Sequence, residues 1–192
     1  MWNFISEIKI AMLRNLSSLN SLNLSKNRIN KIQNGSFVTL ANLTDLNLYS
    51  NCLTEVNGLW FIGLHNLRYL NLGHNRISYI DSKGFQELKK LERLDLSKNQ
   101  LSEIQGIWFR GLSYLNFISL HNNPLEHLPE SSLETLPRPF TLELGNEPED
   151  KQLPCTELCW LKIEGLQGSV DLLDKKPECS GKISWDLLNC GK

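Results

Sequence analysis

Four cysteines crowd the C-terminal end of the chain: Cys155, Cys159, Cys179 and Cys190. Thiols grouped in this way either bind a tetrahedral metal or pair as disulfides. Structural zinc sites favour closely paired C-x₂-C arrangements, and the 3, 19 and 10 intervening residues here do not match that spacing. Disulfides fit better. Four cysteines allow three connectivities, and disulfides imply an oxidising compartment, hence a secreted or cell-surface protein. Pro154 and Thr156 suit a helix start, which sets Cys155 and Cys159 four apart on one helix face. No Gly-rich phosphate loop, nucleophile elbow or H-E-x-x-H stretch occurs in the sequence. The remaining chemical candidates are the carboxylates Asp45, Asp95 and Glu143 and the imidazoles His74 and His121. They can be judged only through the elements that carry them.

Those elements repeat. Leu19, Leu43, Leu67, Leu91 and Leu115 recur at one constant interval. With each leucine as position 1, position 4 holds Leu22, Leu46, Leu70, Leu94 and Ile118, and position 6 holds Leu24, Leu48, Leu72, Leu96 and Leu120. Position 9 holds Asn27, Asn51, Asn75, Asn99 and Asn123, and position 19 holds Phe37, Phe61, Phe85, Phe109 and Leu133. Positions 11 and 14 are aliphatic throughout. On a strand, positions 4 and 6 point to the same side, here inward. A buried asparagine needs partners, and a stack of them can bond the backbone of neighbouring turns. One copy cannot cover its own apolar face, so the copies stack into a solenoid with parallel strands. The fold class is α/β, with a parallel sheet along one side of the solenoid.

If positions 4 and 6 face in, positions 3, 5 and 7 face out. Position 3 carries Asp45, Tyr69, Arg93 and Phe117, position 5 carries Asn47, Asn71, Asp95 and Glu143, and position 7 carries Tyr49 and His121. These ten are the candidate ligand-binding residues: aromatics as anchors, with an acidic centre that Arg93, beside Asp95, partly neutralises. The constant letters build the coil, and the variable ones have few structural duties. His74 and His121 lie two repeats apart, about 10 Å at a strand spacing of about 4.8 Å, too far to share one metal. Asp45 and Asp95 are equally separated, a loose fit to a paired-carboxylate site. The reading is therefore non-catalytic, with no cofactor and no metal. Trp60 and Trp108, at position 18 of alternate repeats, are expected to pack on the side of the coil away from the sheet.

The ends differ from the middle. Counting back from Leu19, Ile5, Ile8 and Leu13 fall at positions 11, 14 and 19, so the chain opens inside a repeat. Solenoid ends need caps, and Trp2 and Phe4 are the residues left to cover the first coil. No signal peptide is visible, and an upstream cap in the full gene product is expected. The resulting division is a partial repeat at 1–18, five repeats at 19–138 and a C-terminal cap at 139–192, with Leu142 and Leu144 keeping positions 4 and 6 of a sixth strand. The formal charge of −1 gives no general attraction to nucleic acid or an anionic membrane, and no apolar run is long enough to span a bilayer. Sequons at Asn15, Asn23, Asn34 and Asn42 fit an extracellular setting. Cys52 is the odd thiol, either free or in an intermolecular bridge.

The uniform repeats, the stretch "LHNNPLEHLPESSL" (120–133) and the four-cysteine tail resemble the extracellular leucine-rich repeat family, and within it the variable lymphocyte receptors of jawless vertebrates and related chordate receptors. The resemblance implies a concave recognition face and disulfides Cys155–Cys179 and Cys159–Cys190. It also implies a microbial surface molecule or a protein or carbohydrate antigen as partner. The sequence departs from that family in its C-x₃-C cap start, where C-x-C is typical, and in having no Thr/Pro-rich stalk. An adhesion or matrix protein holding a host partner, or a non-catalytic subunit of a secreted complex, are the alternatives.

Overall fold

The computed structural model describes residues 4–126, 128, 130–137, 140–144 and 170–172. Strands β2 (Ser21–Asn23), β4 (Asp45–Asn47), β6 (Tyr69–Asn71), β8 (Arg93–Asp95), β9 (Phe117–Ser119), β10 (Thr141–Leu144) and β11 (Val170–Leu172) form one parallel sheet in sequence order. Its register is the repeat itself, Leu22 beside Leu46, then Leu70, Leu94, Ile118 and Leu142. Two narrower parallel pairs lie at repeat positions 13 and 14: β1 (Glu7–Ile8) with β3 (Lys31–Ile32), and β5 (Glu55–Val56) with β7 (Tyr79–Ile80). A single helical turn, α1 (Ile10–Leu13), follows β1. The pairing of β10 with β11 adds a final strand that the repeat pattern does not announce.

The columns of the repeat become layers of the core. Leu46, Leu48, Leu70, Leu72, Leu94 and Leu96 are buried behind the sheet, each contributing about 1.5–3 kcal/mol. Phe37, Phe61 and Phe85 stack in a spine with 6.4 Å between successive ring centroids. The asparagines join one coil to the next. Asn75 donates through Nδ2 to Leu48 O of the preceding coil and to Leu72 O of its own, and its Oδ1 accepts from Leu53 N–H. Asn51, Asn99 and Asn123 repeat this three-way bond. Each amide therefore satisfies backbone groups that the strand ends leave open, which accounts for a polar residue inside an apolar coil.

The turn after each strand has its own rule. Lys26, Ser50, His74, Lys98 and Asn122, all at position 8, lie at φ between 53° and 56°. The left-handed residue swings the chain inward and delivers the asparagine to the core. At the first coil, Phe4 does not act as a cover. It is 72% exposed, with the Arg28 guanidinium 5.1 Å above its ring. Leu22 and Leu24 are only half-buried. Trp2 lies outside the described residues, as do Cys155, Cys159, Cys179 and Cys190 with their two expected disulfides.

Among the described residues, no helix is long and apolar enough to cross a membrane. Trp60 and Trp108 are buried on the convex side. Each sits in a 3-10 turn, Gly58–Phe61 and Gly106–Phe109, edge-on to the following phenylalanine.

Candidate functional site

The in-register sheet turns positions 3 and 5 into rows across the concave face, with position 7 at the strand ends. They border a groove of about 520 Å³. Nine of the ten expected residues line it: Asp45, Asn47, Tyr69, Asn71, Arg93, Asp95, Phe117, His121 and Glu143. Tyr49 does not. Its ring packs on His74, with centroids 5.6 Å apart, on the rim where the strand ends. Position 7 is thus a turning point rather than a third free row. Ser97 and Ser119 are also buried, covered by the longer side chains around them.

The position 5 row has structural duties that the sequence pattern hides. Asn47 Oδ1 accepts from Tyr49 N–H, Asn71 Oδ1 from Gly73 N–H, and Asp95 Oδ1 from Ser97 N–H, each at 2.9 Å. These local side-chain-to-backbone bonds fix the side chains and leave the Nδ2 groups of Asn47 and Asn71 as donors along the groove. Asp95 Oδ1 also accepts from Ser97 Oγ at 2.6 Å. The row therefore runs from amide donors in the first coils to carboxylates at Asp95 and Glu143.

Charge is distributed differently from the sequence expectation. Arg93 lies over the Phe117 ring, 4.2 Å from its centroid, a cation–π contact. No ion pair joins Arg93 to Asp95 among the described residues, so the expected neutralisation does not occur by contact. Arg68, next to the groove, is bound through Nε to Glu92 at 2.7 Å. That hydrogen bond, and then the charge of Glu92, hold the Arg68 guanidinium above its ordinary value. Asp45 Oδ2 accepts from Thr44 Oγ1 at 2.6 Å. The groove thus presents three carboxylates, Asp45, Asp95 and Glu143, against one guanidinium.

One cluster has the composition of a hydrolytic triad. Ser119 Oγ and His121 Nδ1 are 2.8 Å apart, and Glu143 Oε2 is 3.9 Å from the same Nδ1. A relay needs the hydroxyl on one ring nitrogen and the acid on the other. Here both partners address one nitrogen, and Ser119 is only 2% exposed. The arrangement orients His121 and does not activate a nucleophile. Among the described residues no group of His, Cys, Asp and Glu could hold a metal ion, and Cys52 is a free, half-buried thiol.

A family model described as leucine rich repeat matches residues 2–53, 41–101 and 89–148. Among solved structures, a chain in the crystal structure of the TLR13-ssRNA13 complex is similar, with a TM-score of 0.65 and 28% identity. The match covers 81% of this chain and 25% of that one, so this chain spans about a quarter of that neighbour's length. No curated protein matches the sequence.

Proposed function

The chain belongs to the leucine-rich repeat family, and from that membership we propose that it is a non-catalytic recognition module holding its ligand in the concave groove. The observation that carries this reading is the groove itself: nine variable-position side chains converge on it while the repeat-defining residues stay behind the sheet. Its chemistry favours a ligand with cationic groups, such as the amines of a cell-wall polymer or a basic protein epitope. Asp45, Asp95 and Glu143 meet the charge, and Tyr69 and Phe117 pack on the ligand's apolar parts. The repeat region spans 19–138 and the cap 139–192. The four cysteines of that cap, which the resemblance pairs as Cys155–Cys179 and Cys159–Cys190, favour an extracellular setting. The partner of first choice is a microbial surface or antigen, as the resemblance to variable lymphocyte receptors implies.

The neighbour's title names an ssRNA as its partner. In this chain the three groove carboxylates oppose a phosphate backbone, whose binding depends on neutralisation by Lys and Arg. The decisive experiment is capture on whole bacteria, in parallel with a single-stranded RNA and a panel of host matrix proteins. Asp45→Ala, Asp95→Ala and Glu143→Ala combined should abolish bacterial capture. Capture that survives all three changes overturns the acidic-groove reading. Binding to a host protein alone moves the assignment to adhesion.

A further inference from the structure

The convex face carries a second groove whose chemistry is opposite to the first. It has a volume of about 390 Å³ and lies between the third coil's loop and the 3-10 turn of the fourth. Lys83, Lys89 and Arg110 line it, together with Ile107 and Trp108. Among the described residues no carboxylate lines it, and none of the three cations has an ion-pair partner. A Cβ built on Gly111 would sit 3.3 Å from Lys89 Nζ, so the lysine of one coil reaches over the backbone of the next. Trp108 also borders the groove. Its Nε1 is buried with no hydrogen-bond acceptor among the described residues, a costly state for a buried donor.

The molecule contains its own control, two repeats earlier. There, Gly35, Ala41 and Ile62 stand where Lys83, Lys89 and Arg110 stand in the groove. A Cβ on Gly63 would lie 2.7 Å from Val38 O, so the two loops touch; the corresponding Gly111 meets only the Lys89 ammonium within 4 Å. The same backbone plan is closed and apolar in one copy, open and cationic in the other. Regular packing of the repeat does not demand the difference.

We propose that this groove is a second binding site, for the sulfate ester of an anionic polysaccharide. Three converging cations suit an oxyanion. Ile107, 38% exposed, offers an apolar contact for the C–H face of a sugar. The basic character is confined to this one inter-coil step: one coil further on, the matching positions are Ile107, Ser113 and Glu134. A nucleic acid gains affinity by neutralising many phosphates in succession, and no such track adjoins the groove among the described residues. A sulfated sugar brings its ester and its apolar face within one ring.

The test uses the full chain at physiological salt. The probes are a sulfated heparin-type hexasaccharide, its desulfated counterpart and a single-stranded RNA hexanucleotide. The sulfated sugar should bind and the other two should not. Lys83→Gln, Lys89→Gln and Arg110→Gln together should weaken binding at least about tenfold, the sum of three modest exposed pairs. Lys89→Gln alone should weaken it about two- to threefold, which keeps the test intact if the triple variant folds poorly. Asp45→Asn with Asp95→Asn, in the other groove, should leave it unchanged. Absence of binding, binding indifferent to the triple and single changes, or RNA binding as tight as the sugar overturns the assignment.

Discussion

Position 18, on the convex side, alternates Ser36, Trp60, Gly84, Trp108 and Ser132, whereas position 3, on the concave side, runs Ser21, Asp45, Tyr69, Arg93 and Phe117 with no alternation. The contrast has a packing cause. Convex loops of neighbouring coils press on one another, and each tryptophan shares its 3-10 turn with a position 16 glycine against which the next coil's backbone packs. A Cβ on Gly58 would lie 2.2 Å from Lys83 O, and one on Gly106 2.5 Å from Ser131 O. Ser36 and Ser132, the small members, use their hydroxyls to tie down Ile8 O and Ile104 O one coil back. The convex period is therefore two repeats, laid over the single repeat of the sheet. Concave strands meet through backbone, and their outward side chains lie in open rows. One face is constrained by its neighbours in space and the other is left to a ligand.

The largest effect should come from the convex interlock. Trp60→Ala removes a buried ring and should cost about 3–5 kcal/mol, read as a fall in urea midpoint. Tyr69→Ala, on a side chain 39% exposed in the concave groove, should stay within about 0.5 kcal/mol. Equal losses would erase the distinction between the two faces.

The two asparagine columns sharpen it further. Asn75→Ala leaves the buried Leu53 N–H without its acceptor and takes one of two amide donors from each of Leu48 O and Leu72 O, which keep Asn51 and Asn99, and should cost about 2–3 kcal/mol. Asn71→Ala, four residues earlier, frees a single backbone donor, the Gly73 N–H, and should cost about 1 kcal/mol. The second variant should instead weaken capture of a concave ligand. If the Asn71 change is as damaging to stability as the Asn75 change, the position 5 row belongs to the scaffold and not to the site.

The sequence makes the scaffold legible because its columns are period-locked: Leu94, Asn99 and Phe85 sit where spacing alone puts them, and so do the groove residues Asp45, Tyr69 and Glu143. What it hides depends on contacts between non-identical neighbours. Nothing in the pattern says that Tyr49 leaves the groove for His74, or that Arg93 prefers the Phe117 ring to Asp95. Position 8 offers no glycine to advertise its left-handed backbone. Lys26, Ser50, His74, Lys98 and Asn122 read as ordinary surface letters, although asparagine and histidine are enriched in αL. The convex groove was invisible for the same reason. Lys83, Lys89 and Arg110 are scattered in sequence, and only the distance between two loops brings them together.

The finest comparison rests on two glycines. Gly58 faces backbone, and backbone cannot yield without moving the third coil's loop; Gly58→Ala should therefore destabilise by about 1–3 kcal/mol. Gly73, at position 7 of the sheet, is hemmed in by Ser97 Oγ at 3.0 Å and the Asp95 carboxylate at 3.1 Å. Those are the ends of side chains, and a small rotation of Ser97 and Asp95 makes room. Position 7 also carries Ser25, Tyr49 and Ser97 in other coils, so the backbone there accepts a Cβ. Gly73→Ala should leave stability within about 1 kcal/mol, the gain through the unfolded chain offset by the weakened Asp95–Ser97 bond. It should still disturb the concave site, because Asp95 must give up part of its bond to Ser97 to make space. A Gly73→Ala chain with lowered stability and unaltered ligand capture would mean that the concave side chains are packed as rigidly as the convex loops.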